Sequence, residues 1–179
     1  MSKPRSGTLL TNPDANASAV ASTTISLEYA SLKYQNHCPL GMYIVPSKES
    51  LFAWDAMFFV HQGYYADAIF KFRLLFPHEY PDRPPVVQFL TDMFHPLVSN
   101  KGIFNLQPRF HPWRPKEHHI FDVLHFIKSA FKKSVLDKIL EVDCMNKESH
   151  RLCVTSVSSF YHPHLISTDI TKPLAPLHP

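Results

Sequence analysis

The alternation of apolar and polar positions predicts a meander of four strands in the middle of the chain. In residues 68–76 every second side chain is a large apolar one, as expected for a strand with one buried face. The inward positions are Phe70, Phe72, Leu74 and Phe76, and the other face carries Ile69, Lys71, Arg73 and Leu75. The remaining strands are predicted at residues 42–46, 51–60 and 86–90. Because short turns connect them, we expect antiparallel neighbours with helices covering one face.

A helical spacing of apolar residues predicts the element that covers this sheet. Residues 120–131 are apolar at i, i+3, i+4, i+7 and i+11, which indicates one buried stripe. The stripe consists of Ile120, Val123, Leu124, Ile127 and Phe131. A further helical segment is predicted over residues 135–140, where apolar residues again recur at helical spacing.

The first helix of the domain is predicted to be short. We expect it to begin at Thr24, whose hydroxyl can serve as the N-cap. Leu27, Ser31 and Tyr34 would then fall near one face of the helix.

The order of these elements predicts one α+β domain at residues 23–150. Residues 1–22 are mostly Ser, Thr, Ala and Asn and predict a disordered leader. Residues 151–179 contain four prolines and predict an irregular tail. Residues 91–119 show no regular pattern, and an irregular stretch of that length is uncommon in a compact domain unless it has a function.

The composition suits one folded domain and argues against two classes of partner. Of the 179 residues, 45% are hydrophobic, which is enough apolar material for a core. The net charge of +3 is small and the Lys and Arg residues are dispersed, so no nucleic-acid partner is expected. No apolar stretch is long enough to span a bilayer and the N-terminus lacks a secretory pattern, so we expect no membrane insertion.

The cysteines predict a reducing compartment. Cys38, Cys144 and Cys153 are odd in number, widely spaced and without a CxxC pair, which argues against a disulfide framework. We therefore expect a cytoplasmic or nuclear protein.

The histidines predict neither a metal centre nor a cofactor site. His111, His118 and His119 cluster near Trp113, but the segment lacks the cysteines that a structural zinc site usually includes. We therefore expect no metal and no cofactor. His95 is expected to hydrogen-bond the loop around it.

A set of short motifs lies in one register between residues 80 and 115. The motifs are Tyr80-Pro81-Asp82-Arg83-Pro84-Pro85, His95-Pro96-Leu97, Gly102 two residues before Phe104, and Trp113-Arg114-Pro115. They resemble the YPxxPP corner, the HPN tripeptide, the GxIC segment and the WxP motif of ubiquitin-conjugating enzymes. The resemblance covers about residues 23–140. It implies that family's fold, a four-stranded antiparallel meander with an N-terminal helix and with helices after the active-site-like loop.

Two departures from the family pattern imply that the chain is not an enzyme. In active members the catalytic cysteine lies ten residues after the HPN histidine and eight before the tryptophan, and here both counts end at Asn105. An amide cannot form the thioester that a cysteine thiolate forms with the C-terminus of ubiquitin. Leu97 stands in place of the HPN asparagine and offers no donor to a developing oxyanion. The resemblance therefore implies a site that has lost both groups.

Other motifs resemble the catalytically inactive Fused Toes group of this family, the AKT-interacting-protein and crossbronx relatives. They are Gly41-Met42-Tyr43-Ile44-Val45-Pro46-Ser47, Gln62-Gly63-Tyr64-Tyr65 and His95-Pro96-Leu97-Val98. The resemblance implies an adaptor that acts with Hook coiled-coil proteins in a complex linking vesicles to dynein on microtubules. It also implies links to apoptosis and AKT signalling, and a cytoplasmic location with contact to membranes through partners.

Two alternatives to the adaptor remain open. The protein could bind ubiquitin non-covalently, or partner an active conjugating enzyme and direct the choice of chain linkage. It could also retain some conjugating activity through Cys38, Cys144 or Cys153, although cysteine is commonly a small buried apolar residue.

Overall fold

A four-stranded antiparallel sheet forms the centre of the fold. The computed structural model describes residues 13–155. The strands are β1 (Met42–Pro46), β2 (Ala53–Phe59), β3 (Ile69–Leu75) and β4 (Val86–Phe89). They pair in the order β1-β2-β3-β4. The predicted meander is confirmed, and each strand lies within its predicted range.

Helices cover the inward face of this sheet. Within residues 13–155 they are α1 (Pro13–Ser31), α2 (Gln107–Phe110), α3 (Ile120–Ala130), α4 (Lys133–Leu136) and α5 (Lys147–Thr155), with a 3-10 turn at Glu141–Asp143 before α5. Phe131, which follows α3, contacts Phe58 of β2, Phe70 of β3 and Phe89 of β4. The end of α3 is therefore held against the sheet by aromatic packing.

The predicted faces of β3 and α3 are confirmed. Phe70, Phe72 and Leu74 are buried on one side of β3, and Ile69 and Lys71 are exposed on the other. The predicted apolar stripe of α3 is buried in full: Ile120, Val123, Leu124 and Ile127 within the helix and Phe131 after it. These two faces together form the centre of the core.

The prediction for the first helix needs correction at its start and in its buried face. The helix α1 begins at Pro13 rather than at Thr24, so residues 13–22 of the predicted leader are helical, and residues 1–12 lie outside the described part of the chain. Thr24 is inside the helix, where its hydroxyl donates to the carbonyl of Val20 at 2.9 Å.

The buried face of α1 is a different one from the predicted face. Ala21, Ile25 and Glu28 are buried, whereas Leu27 and Tyr34 are 66% and 69% exposed. The apolar pattern gave no sign of this face because it contains a small residue and a carboxylate beside one large aliphatic side chain.

The C-terminal part of the described chain also differs from the prediction. The helical segment predicted over residues 135–140 is the short α4, since Leu136 is buried but Leu140 is 63% exposed and gives no packing that would extend the helix. The helix α5 crosses the boundary predicted at residue 151 and ends at Thr155. The rest of the predicted tail, residues 156–179, lies outside the described residues.

Candidate functional site

His95 organises the long loop between β4 and α3. Its side chain is fully buried, and Nδ1 accepts a hydrogen bond from the backbone N–H of Leu97 at 3.1 Å. Because Nδ1 accepts, Nε2 carries the proton and donates to the carbonyl of Ala130 at 3.2 Å. The prediction that His95 hydrogen-bonds its loop is confirmed. One neutral imidazole thus ties the loop to the last turn of α3.

The free energy of unfolding should fall as pH decreases from about 6.5 to about 4 because of His95. Burial lowers the pKa of this imidazole from 6.5 to about 4. Below pH 6.5 the unfolded chain therefore binds a proton at this position and the folded chain does not, which favours unfolding. The loss should reach about 3 kcal/mol at pH 4 and should vanish above pH 6.5.

The contribution of His95 can be separated from that of other titrating groups by comparing the wild-type protein with His95→Asn. The free energy of unfolding of each is measured by denaturant unfolding between pH 4 and pH 7.5. The variant should be the less stable protein at pH 7.5, since asparagine fits neither hydrogen bond as well. The two stability curves should then converge by about 3 kcal/mol as the pH falls to 4. Parallel curves would contradict the role given to His95.

The proline corner and the tryptophan motif lie against each other. The indole Nε1–H of Trp113 donates to the carbonyl of Pro81 at 2.7 Å. Pro85 is buried, Pro84 is exposed, and Pro115 is half-buried. The tryptophan motif is thus joined directly to the proline corner, although only some of the residues in these two motifs are buried.

A buried carboxylate, which the sequence pattern did not reveal, joins this region to α1. Glu28 accepts hydrogen bonds from the Tyr80 hydroxyl at 3.2 Å, from His119 Nδ1 at 3.0 Å and from the backbone N–H of Ile120 at 3.2 Å. Ile120 begins α3, so Glu28 satisfies one of the N–H groups that a helix leaves unpaired at its start. Burying a carboxyl group without such donors would cost free energy. Its only sequence signal is its spacing from Ala21 and Ile25.

Asn105 and Leu97 lie side by side in the loop. The backbone N–H of Asn105 donates to the carbonyl of Leu97 at 2.8 Å. The Asn105 side chain donates through Nδ2 to the carbonyl of Asp143 at 2.9 Å and accepts through Oδ1 from the N–H of Gln107 at 3.0 Å. Leu97 is 1% exposed and packs in the core. Asn105 therefore serves as a connector, and Leu97 as part of the core.

The segment that follows the 3-10 turn closes over this pair. The backbone N–H groups of Met145 and Asn146 both donate to the carbonyl of Pro96, at 2.8 and 3.1 Å. Together with the bond from Asn105 to Asp143, they fix residues 143–146 against the loop. Sequence reasoning missed this contact because a turn distant in the chain carries no motif of its own.

The other residues considered for chemistry lie apart from this pair or have structural contacts. The Cys144 thiol donates to the carbonyl of Leu140 at 3.2 Å, and Cys38 lies beside Met42 at the start of β1. His118 accepts from the N–H of Arg114 at 3.0 Å. Among residues 13–155 no three His, Cys, Asp or Glu side chains are arranged to hold a metal ion. No helix in this range is both long and apolar enough to cross a membrane.

A glycine in the predicted GxIC-like segment is required by its surroundings. Gly102 has a φ of +77°, and a Cβ atom there would lie 2.3 Å from the carbonyl oxygen of Phe89. The same pair of residues is joined by the bond from the N–H of Phe89 to the carbonyl of Gly102 at 2.8 Å. Only glycine permits this approach, which fixes the loop to the edge of β4.

Fold and motif positions together define the class of protein. The family model described as "Ubiquitin-conjugating enzyme" matches residues 24–152. The chain belongs to the ubiquitin-conjugating enzyme family, and the antiparallel sheet with its N-terminal helix is the fold expected from the motifs.

Curated relatives confirm the resemblance to the Fused Toes group within this family. The chain is 32% identical over 123 residues to a "Protein crossbronx homolog" of Anopheles gambiae, which covers 67% of this chain and 54% of that protein. It is 38% identical over 95 residues to "AKT-interacting protein" of Danio rerio, covering 52% of this chain and 32% of that protein. A "Protein AKTIP homolog" of Nematostella vectensis is 34% identical over 112 residues, 62% of this chain and 37% of the relative. The chain thus spans about a third to a half of the length of these relatives.

Proposed function

We propose that this protein is a non-catalytic adaptor built on the ubiquitin-conjugating-enzyme fold. The observation that carries the proposal is the chemistry and hydrogen bonding of the Asn105 side chain, which lies at the predicted catalytic position. It supplies no thiol, and its amide is already engaged with Asp143 and Gln107. Leu97, at the predicted position of the supporting asparagine, is an aliphatic core residue. Asn105 has no thiol with which to form a thioester, and Leu97 has no hydrogen-bond donor with which to stabilise an oxyanion.

A charging reaction tests the absence of catalysis. The protein is incubated with ubiquitin-activating enzyme, ATP and ubiquitin and is then run on a gel without reductant. We expect no band shifted by the mass of one ubiquitin. A shifted band that disappears on addition of reductant would overturn the proposal, and Cys38→Ser, Cys144→Ser and Cys153→Ser would then identify the thiol.

The partners follow from the group to which the relatives belong. We infer a cytoplasmic subunit of a Hook-containing complex that acts in vesicle transport on microtubules, with a link to apoptosis. The name of the Danio rerio relative adds AKT as a candidate partner. A pull-down with the C-terminal segment of a Hook coiled-coil protein tests the first partner. Failure to retain that segment, with the protein shown to be folded by circular dichroism, would exclude it.

The outward face of the sheet favours non-covalent ubiquitin binding as a second candidate function. Tyr43, Met57 and Ile69 are 67%, 37% and 40% exposed, and Tyr43 lies directly opposite Met57 in the β1–β2 pair. Exposed apolar side chains that share a face are typical of protein interfaces. Titration of ¹⁵N-labelled ubiquitin with the protein should give saturable chemical-shift changes if this face binds it. Unchanged spectra would remove this candidate.

A further inference from the structure

The strand β1 lies at an edge of the sheet and has free backbone groups at one residue. The N–H of Phe59 donates to the carbonyl of Gly41, and the N–H of Ser47 donates to the carbonyl of Ala53, each at 2.8 Å. Because paired residues alternate in an antiparallel ladder, the N–H and C=O of Ile44 point away from β2. Neither group has a hydrogen-bond partner within residues 13–155.

An apolar groove lies beside this free edge. It has a volume of about 190 Å³ and is lined by Tyr29, Leu32, Lys33, Cys38 and Ile44. A cavity of about 150 Å³ is large enough for a benzene-sized group, so the groove can accept one large aliphatic side chain. Free backbone groups and a side-chain pocket therefore occur at the same residue, which is the arrangement by which an exposed strand binds an extended peptide.

The charge around the groove is positive. Lys33 lines it, and the Lys128 ammonium donates to the carbonyl of Leu40, two residues after Cys38. The ion pairs formed among the described residues include neither lysine. A carboxylate on the bound peptide would complement this charge, whereas a second copy of the chain would bring further lysines to it.

We propose that β1 and this groove bind an extended segment of a partner protein by strand addition. The segment places an aliphatic side chain in the groove opposite Ile44 and exchanges two backbone hydrogen bonds with that residue. An Asp or Glu within two positions of the aliphatic residue faces Lys33 and Lys128. The proposal rests on the adaptor function proposed above and assigns to it a surface and a class of ligand.

Ile44→Pro is a selective probe of this surface. Proline removes the outward N–H of residue 44 and the isoleucine side chain that lines the groove. It removes no hydrogen bond to β2, because the Ile44 N–H does not point toward β2. Pro46 already occupies an equivalent outward-facing position in the same strand, so the edge accommodates proline. Lys33→Glu reverses the charge with the backbone unchanged, and Lys101→Glu at an exposed loop position serves as its control.

Selection of a phage-displayed library of random ten-residue peptides on the whole protein tests the proposal. We expect enrichment of peptides with an aliphatic residue and an Asp or Glu within two positions of it. A synthetic peptide of the most enriched sequence should bind Ile44→Pro at least about tenfold more weakly and Lys33→Glu about fivefold more weakly, and should bind Lys101→Glu as it binds the wild type. In the wild-type protein, binding should slow hydrogen exchange of the Ile44 amide, a readout that does not depend on any variant.

Two outcomes would overturn the proposal. The first is that no such peptides are enriched. The second is that an enriched peptide binds Ile44→Pro and Lys33→Glu as tightly as it binds the wild type and does not slow hydrogen exchange of the Ile44 amide. Both are distinguishable from failure of the adaptor function. A thioester band in the charging reaction would end the non-catalytic assignment whatever the groove binds. A failed peptide selection would exclude only the proposal that β1 and the groove bind a peptide. It would leave the results of the charging reaction and of the pull-down unaffected.

Discussion

Replacing Glu28 with alanine should lower the free energy of unfolding by about 3–5 kcal/mol, because the carboxylate is the acceptor for three donors. The Tyr80 hydroxyl and the Ile120 N–H belong to buried residues and would lose their partner. The His119 side chain is 44% exposed and can bind water in its place, so it contributes less to the loss. Urea denaturation monitored by tryptophan fluorescence at pH 7.5 measures the change.

Two matched variants show whether the acceptor or the charge is responsible. Glu28→Gln keeps an oxygen for the Ile120 N–H, and its NH₂ group can donate to the Tyr80 oxygen and to His119, so we expect a loss of only about 1 kcal/mol. Glu49→Ala, at an exposed position, should change stability by less than about 0.5 kcal/mol. If glutamine proved as damaging as alanine, the hydrogen bonds would not be the cause.

Asn105→Cys should give no efficient transfer of ubiquitin to lysine, even though it restores a thiol at the predicted catalytic position. Leu97 still supplies no donor for the transferring carbonyl. The substitution also removes the side-chain bonds to Asp143 and Gln107, which should lower the free energy of unfolding by about 1–3 kcal/mol and loosen residues 143–146. A charging and lysine-discharge assay measures transfer, and hydrogen exchange at Met145 and Asn146 measures the loosening.

Two further variants separate these effects. Asn105→Asp keeps the acceptor for the Gln107 N–H but places a carboxylate against the Asp143 carbonyl, so it should be at least as destabilising as cysteine. Leu97→Asn buries an amide in the core and should cost about 2–4 kcal/mol. Robust isopeptide formation by Asn105→Cys alone would show that the rest of the site is intact and that the leucine does not block transfer.

The elements that could be predicted are those in which one face carries most of the apolar residues. In β3 and α3 nearly every inward position is a large apolar side chain, so the period of the pattern identifies both the element and its face. In α1 the buried face includes Ala21 and Glu28, while large apolar residues such as Leu27 are exposed. A count of apolar positions therefore located the start and the face of this helix incorrectly.

In the candidate site, features that depend on neighbours along the chain could be predicted, whereas contacts between residues distant in the chain could not. Counting residues located Asn105 and Leu97 as positions of interest, because motifs report on neighbours along the chain. The partner of the Asn105 amide is Asp143, 38 residues away, in a turn without a distinctive sequence. The donors around Glu28 are likewise 52 to 92 residues away. Interactions of this range depend on tertiary packing, and one sequence alone does not reveal them.

The bond between Asn105 and Asp143 also bears on how such a protein can change over generations. Thiolate chemistry at the predicted catalytic position would require a cysteine at position 105 and, by the proposal above, a polar side chain at position 97; each change alone is expected to weaken the fold. We therefore expect either single substitution to give a less stable protein without efficient transfer activity. On this expectation, the contacts of Asn105 and Leu97 would oppose a stepwise gain of thiolate chemistry in this loop.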